Sequence, residues 1–198
     1  MSRARGGPVL ARWLTPPLAL LLAACTATEV PAPSPAEDAA SPFADCAALT
    51  APRPAASAAA DLPELSLPCF TGGSPVRLTA LAGPAVINLW GSWCDPCRRE
   101  LPVLQELAEA TTGRLRVVGV DTMDTRDAGA SFATAAGLSF PTLFDPDKQL
   151  LTALGKVNLP VTVFVGADGR RYVYTGKALD KPTLGGLVRT HTGVTVTG

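Results

Sequence analysis

One histidine, two methionines and two tyrosines are all that this 198-residue chain holds of those residue types. The shortage of histidine excludes most. Structural zinc takes four ligands, as two Cys-x-x-Cys pairs or one pair with two histidines. Here there is one such pair, Cys94 and Cys97, and a lone His191 near the C-terminus on a predicted helix, read as a surface residue. Neither a metal nor any other cofactor is implied. Charge of one sign is missing too: 17 Lys and Arg stand against 17 Asp and Glu. A nucleic-acid partner would need a basic face, and the pairs Arg98-Arg99 and Arg170-Arg171 read as solvated helix and turn positions. Long apolar runs are also absent. The "LALLLAAC" run follows Pro16 and Pro17 and falls short of the roughly 20 residues of a membrane-spanning helix.

What that run does fit is a removable export signal. Arg3, Arg5 and Arg12 precede it, and no acid appears before Glu29. A basic start followed by a short apolar stretch is the pattern of a secretory signal. Its last letters, Leu22-Ala23-Ala24-Cys25, resemble a bacterial lipobox, in which the cysteine is lipidated and becomes the first mature residue. Residues 1–24 are thus expected to be a lipoprotein-type signal peptide, with Cys25 as the lipidation site. Their removal leaves 14 basic against 17 acidic residues. Residues 25–60, rich in Ala, Pro, Ser and Thr, offer too little apolar surface to offset ordering entropy and are expected to form a flexible tether. Cys46, beside Phe43 and Leu49, is the feature that does not suit a wholly disordered segment.

With Cys25 assigned to lipid, four cysteines remain, an even number that suits two disulfides in an exported protein. Four cysteines allow three pairings. Taking the close pair Cys94–Cys97 together leaves Cys46 with Cys69. The latter bridge would close a loop of about two dozen residues, worth about 3 kcal/mol in the chain-entropy model. The former closes a four-residue loop and stabilises little, which suits a bond made for chemistry.

The rest of the chain alternates in type. "PAVINLWGSW" (84–93) is a continuous apolar run, as expected of a strand buried on both faces. Asp95 and Pro96 supply helix-start chemistry. Apolar residues then recur at Leu101, Leu104 and Leu107, in an amphipathic helix that Gly113 should stop and Pro102 should kink. Cys94 therefore sits at a helix mouth, where the peptide dipoles favour a thiolate. It is expected to be the exposed nucleophile, and Cys97, one turn inside, the resolving thiol. Downstream come a strand at 115–123, a helix at about 126–137, an extended "FPTLFD" (140–145) and a helical turn. A hairpin (159–176) and a final helix (about 180–191) follow. With a strand near 64–70, this is one α/β domain over 61–193 with a mixed central sheet and flanking helices. No internal repeat is visible.

"NLWGSWCDPCRRELPVL", "SFPTLFDPDKQLLTALGKVNLPVTVFVGADG" and the lipobox occur in this order. Over residues 62–190 the chain resembles the thioredoxin fold, and within it the membrane-anchored TlpA- and ResA-like branch. The resemblance implies that Pro160 follows a cis peptide bond, faces the cysteines and leaves the backbone of Leu159 free for an extended substrate. It implies that Glu100, matching that branch's glutamate, manages protons near the sulfurs. Thioredoxin proper has a buried aspartate where Asn88 stands, and an amide cannot titrate. Trp93 is expected to shield Cys94, and Trp90 to be core.

The resulting expectation is an extracytoplasmic, monomeric thiol–disulfide oxidoreductase at the outer face of a bacterial cell membrane. Its partners would be thiols and disulfides of exported proteins, an unidentified membrane electron donor or acceptor, and the lipid membrane through Cys25. A reductant of the cytochrome c maturation type is favoured over a disulfide-forming oxidase. Asp95, beside Cys94, disfavours the stabilised thiolate on which a strong oxidant relies. A non-catalytic tethered binding module would have no need of an intact Cys-x-x-Cys pair, and a peroxidase would need the lone-cysteine motif, which is absent.

Overall fold

Strand β3, Ala85–Trp90, is buried at every position, and the fold is built around it. The computed structural model describes residues 41–52, 57–59 and 61–196, all within one compact unit. The expected signal peptide and Cys25 lie outside them. Short strands β1 (Ser66–Leu67) and β2 (Val76–Arg77) pair in a two-stranded sheet. After β3 come α1 (Asp95–Ala110), β4 (Arg116–Thr122), α2 (Arg126–Ala136), β5 (Thr142–Asp145) and α3 (Gln149–Ala153). The chain ends with β6 (Val161–Val165), β7 (Arg171–Tyr174) and α4 (Lys181–Thr192). The main sheet runs β5-β4-β3-β6-β7. Its β3–β4 and β4–β5 pairs are parallel, and its β3–β6 and β6–β7 pairs antiparallel. The mixed α/β sheet expected from the sequence is there.

Side chains alternate across the sheet as strand geometry requires. Ile87, Leu89, Val118, Val120, Val161 and Val163 pack with Leu67, Leu78, Leu150 and Leu151 on one face. Val86, Trp90, Val117 and Phe164 pack on the other with Leu101 and Leu104 of α1 and Leu184 and Val188 of α4. Helix α1 keeps its buried stripe through Pro102, and its end lies at Ala110, ahead of Gly113. The Thr111 N–H still makes the helical bond to the Leu107 carbonyl, and the turn that follows is closed by Gly113 at a positive φ of 77°.

Two sequence expectations change. The strand expected at 64–70 is not part of the main sheet. Flanked by Pro63 and Pro68, it pairs only briefly as β1, after which Cys69 bridges Leu143 and covers the edge of β5. The expected boundary at 61 also shifts, because part of the presumed tether is packed chain. Phe43, Cys46, Leu49 and Ala59 are buried, and Phe43 meets Phe70 edge-on at 4.8 Å. Buried Arg116, at the start of β4, donates to the carbonyls of Ala48, Ala51 and Ala82. One guanidinium thereby ties residues 48–51 to the sheet. The Cys46–Cys69 disulfide closes the same junction, with Cα atoms 5.9 Å apart. Few apolar residues suffice to order this stretch because a covalent bond and a buried cation assist them.

Candidate active site

The candidate site forms where β3 ends and α1 begins. Cys94 and Cys97 are joined by a disulfide, with Cα atoms 5.3 Å apart. Cys94 is the N-cap of α1, and its Sγ accepts the backbone N–H of Cys97 at 3.3 Å. Asp95 lies in the first turn and Pro96 at its start, where proline's missing donor costs nothing. A sulfur so placed receives both an N–H bond and the positive end of the helix, and each favours its anionic form. Cys94 is 4% exposed and Cys97 0%. The Cys94 expected to be exposed is therefore buried in the disulfide form, only slightly less covered than Cys97. Its exposure as a nucleophile has to come with opening of the bond or docking of a partner.

The Leu159–Pro160 peptide is cis. Val161 pairs with Leu89 and Thr162 with Asn88, so Pro160 stands beside the end of β3 from which the cysteine loop departs. Leu159 packs against the cluster that holds both cysteines.

Glu100 lies one turn beyond Cys97 and is 1% exposed. Unlike most helix glutamates, it is removed from solvent. Its Oε1 accepts from Asn88 Nδ2 at 2.7 Å and its Oε2 from the Leu179 backbone N–H at 2.8 Å. Burial raises its pKa, and those two hydrogen bonds oppose the rise. Asn88 also donates to Thr162 at 3.0 Å, while its Oδ1 has no partner among the described residues. Turning the amide over would present that oxygen to a protonated Glu100. The pair can therefore serve either protonation state of the acid, although Asn88 itself cannot titrate.

Trp93 is 53% exposed, with its indole lying near Gly91 and donating to the Met123 carbonyl at 2.9 Å. Trp90 is fully buried, as expected of core. His191 is half-buried and stacks on Tyr172 with ring centroids 3.7 Å apart; the surface reading was too simple. Among the described residues no group of three or more His, Cys, Asp or Glu could hold a metal ion, and no helix is long and apolar enough to cross a membrane.

Sequence reasoning missed Asp121. It sits within the "LRVVGVDTM" strand, fully buried at the end of β4. Its signal was an acid inside an apolar strand run, where a charge is costly.

The AhpC/TSA family model matches residues 58–170. The thiol-disulfide oxidoreductase ResA of Bacillus subtilis is 30% identical over 102 residues, covering 50% of this chain and 57% of that protein. The thiol:disulfide interchange protein CycY of Rhizobium leguminosarum is 35% identical over 117 residues, covering 59% and 56%. The chain therefore spans less than two thirds of either relative. A secreted Mycobacterium tuberculosis disulfide oxidoreductase, described as homologous to E. coli DsbE, superposes with a TM-score of 0.58. That match has 28% identity and covers 64% of this chain and 96% of the other. The fold is thioredoxin-like.

Proposed function

This chain belongs to the AhpC/TSA family, and from that premise we propose that it is a thiol–disulfide oxidoreductase acting on exported proteins through Cys94 and Cys97. The carrying observation is the Cys94 sulfur at the N-cap of α1, bonded by the Cys97 N–H. In the reduced protein the Cys94 thiolate attacks a substrate disulfide, forming a mixed disulfide and releasing one substrate thiolate. Cys97 loses its proton and attacks Cys94 Sγ, which releases the second. Two electrons pass to the substrate, and the protein pair ends as the disulfide. Glu100, buried one turn from Cys97, manages the proton that Cys97 gives up. Pro160 and Leu159 offer backbone for an extended substrate, Trp93 borders the approach, and Asp95 and Pro96 shape the helix mouth.

Reduction, of the cytochrome c maturation type, is the favoured direction. Asp95 beside Cys94 supports it, as does likeness to relatives named as oxidoreductase and interchange proteins. An oxidase is the alternative, and the reduction potential of the pair decides between them. An extracytoplasmic, lipid-anchored location is supported by the lipobox at Cys25 and by the secreted relative. Cys46–Cys69 acts as a structural bridge.

Trapping tests the mechanism. Cys97→Ala is expected to accumulate mixed disulfides through Cys94, and Cys94→Ala to trap none. If Cys97 is the thiol that alkylates first, the assignment of roles is wrong.

A further inference from the structure

Asp121 occupies the helix-covered face of the sheet, in register with Trp90 of β3 and Phe144 of β5. Among the described residues, neither of its carboxyl oxygens meets an N–H or O–H donor. Gly129 of α2 lies so close that a Cβ there would collide with Oδ2; the helix carries a glycine, at a cost in propensity, where the carboxyl needs room. Arg126 approaches from the same helix. Its guanidinium, however, donates to the Phe70 carbonyl and lies over the rings of Phe70 and Phe144, at 5.2 and 4.4 Å. The remaining group in reach is the Asp124 carboxyl, and two carboxyls bond each other only through a proton. Burial first, and then Asp124, push the pKa of Asp121 up to about 8.

Asp124 in turn holds the cysteine loop. Its Oδ2 accepts the Ser92 N–H at 2.5 Å and its Oδ1 the Thr125 N–H at 2.8 Å. The neighbouring Met123 carbonyl takes the Trp93 indole, and the Cys94 N–H bonds Gly91 at 3.0 Å. Residues 91–94 thus hang from residues 123 and 124 by two hydrogen bonds.

We propose that a proton shared between Asp121 and Asp124 positions the Gly91–Trp93 loop, and that its loss releases the loop and uncovers Cys94. Asp121 is then a positioning residue for the exchange proposed above, and its role rests on that reading. When the proton leaves to solvent, two like charges face each other. Arg126 is the cation that acts on Asp121, and it is held by Phe70 and Phe144; Lys148 lines the cavity beside Asp124, and Arg98 of α1 donates to the Ser92 carbonyl at 3.4 Å. From β5 the nearest acid, Asp145, keeps its carboxyl on the Gln149 and Leu150 N–H groups of α3. Trp90 of β3 and Phe70 bring no charge. Asp124 borders a surface cavity of about 540 Å³ lined by Met123, Thr125, Pro146, Asp147 and Lys148. It has room to swing there, giving up Ser92.

The test is an NMR titration of the oxidised full chain from pH 6 to 9.5, following the Ser92 amide and the Trp93 indole N–H. Both are expected to move with a common midpoint near pH 8 in the wild type and in Glu100→Gln, and to stay flat in Asp121→Asn. Asp124→Asn, which removes the facing charge, should also abolish the transition and keeps the test open if Asp121→Asn does not fold. Reduction by dithiothreitol gives a second readout. The ratio of wild-type to Asp121→Asn rates should be near one at pH 6 and rise at least about threefold by pH 9. Flat resonances in the wild type, the same titration in Asp121→Asn, or a rate ratio independent of pH overturns the proposal. Failure to exchange with any protein disulfide would instead sink the functional reading, and leaves the loop titration to stand or fall by itself.

Discussion

Cys46–Cys69 and Cys94–Cys97 bury their sulfurs to a similar depth, from 0 to 4% exposed, yet they join residues 23 and 3 apart in sequence. Burial does not tell them apart. Surroundings do. The long-range bridge fastens residues 41–52 to the edge of β5, with Cys46 Sγ 3.6 Å from the Thr142 carbonyl oxygen, a group that disfavours a thiolate. The short one ends on a backbone N–H at a helix start. Loop length decides how much a disulfide constrains the unfolded chain, and local dipoles decide how readily its thiolate forms. In this fold the two properties fall on different pairs.

The largest expected effect breaks the chemical pair. Cys94→Ser should lose measurable reduction of a test disulfide, while its thermal midpoint stays within a few degrees of the wild type's. A large loss of stability would mean that the short bridge is structural as well. Removing the other pair, Cys46→Ala with Cys69→Ala, should do the opposite. Unfolding by denaturant should show a loss of about 3 kcal/mol, with the exchange rate within about twofold of the wild type. A fall in rate of tenfold or more would erase the division of labour.

Two buried acids, Asp121 and Glu100, sharpen the contrast. Asp121 keeps a proton that the unfolded chain has already released between about pH 4 and its folded pKa of about 8. Its stabilising contribution is therefore complete below about pH 4 and is lost as pH rises through that window. Asp121→Asn removes the loss. The variant should gain on the wild type by roughly 5 kcal/mol from pH 4 to pH 8, in chemical denaturation at both values. Glu100, with two donors, should show less. Its raised pKa puts its stabilising contribution at low pH, fading as pH rises through the folded value. Glu100→Gln should shift the pH dependence of exchange without unfolding the domain, and an unchanged profile would remove Glu100 from the proton path.

Strand and helix positions were legible because they rest on short-range patterns: the apolar run of β3, the repeat of Leu101, Leu104 and Leu107, and Asp95 and Pro96 at a helix start. The pairing of Cys46 with Cys69 was legible by parity, and the cis bond before Pro160 by resemblance. The fate of residues 41–52 was not. Their composition is that of a tether, and what orders them is Arg116, more than sixty residues away. Glu100 was visible as a residue but not as a buried one. Its burial comes from Leu179 and Asn88, which no local pattern connects to it.

By itself, the sequence determined the alternation of elements, the placing of a Cys-x-x-Cys pair at a helix mouth and the even set of cysteines, since each depends on neighbours a few residues apart. Tertiary structure alone decided which acids lose their water, which cysteine remains barely reachable, and that the Asp124 carboxyl, three residues from buried Asp121, takes the Ser92 N–H of the loop that leads to Cys94. Those outcomes depend on desolvation and on charges brought close by the sheet, and both exist only once distant segments have packed.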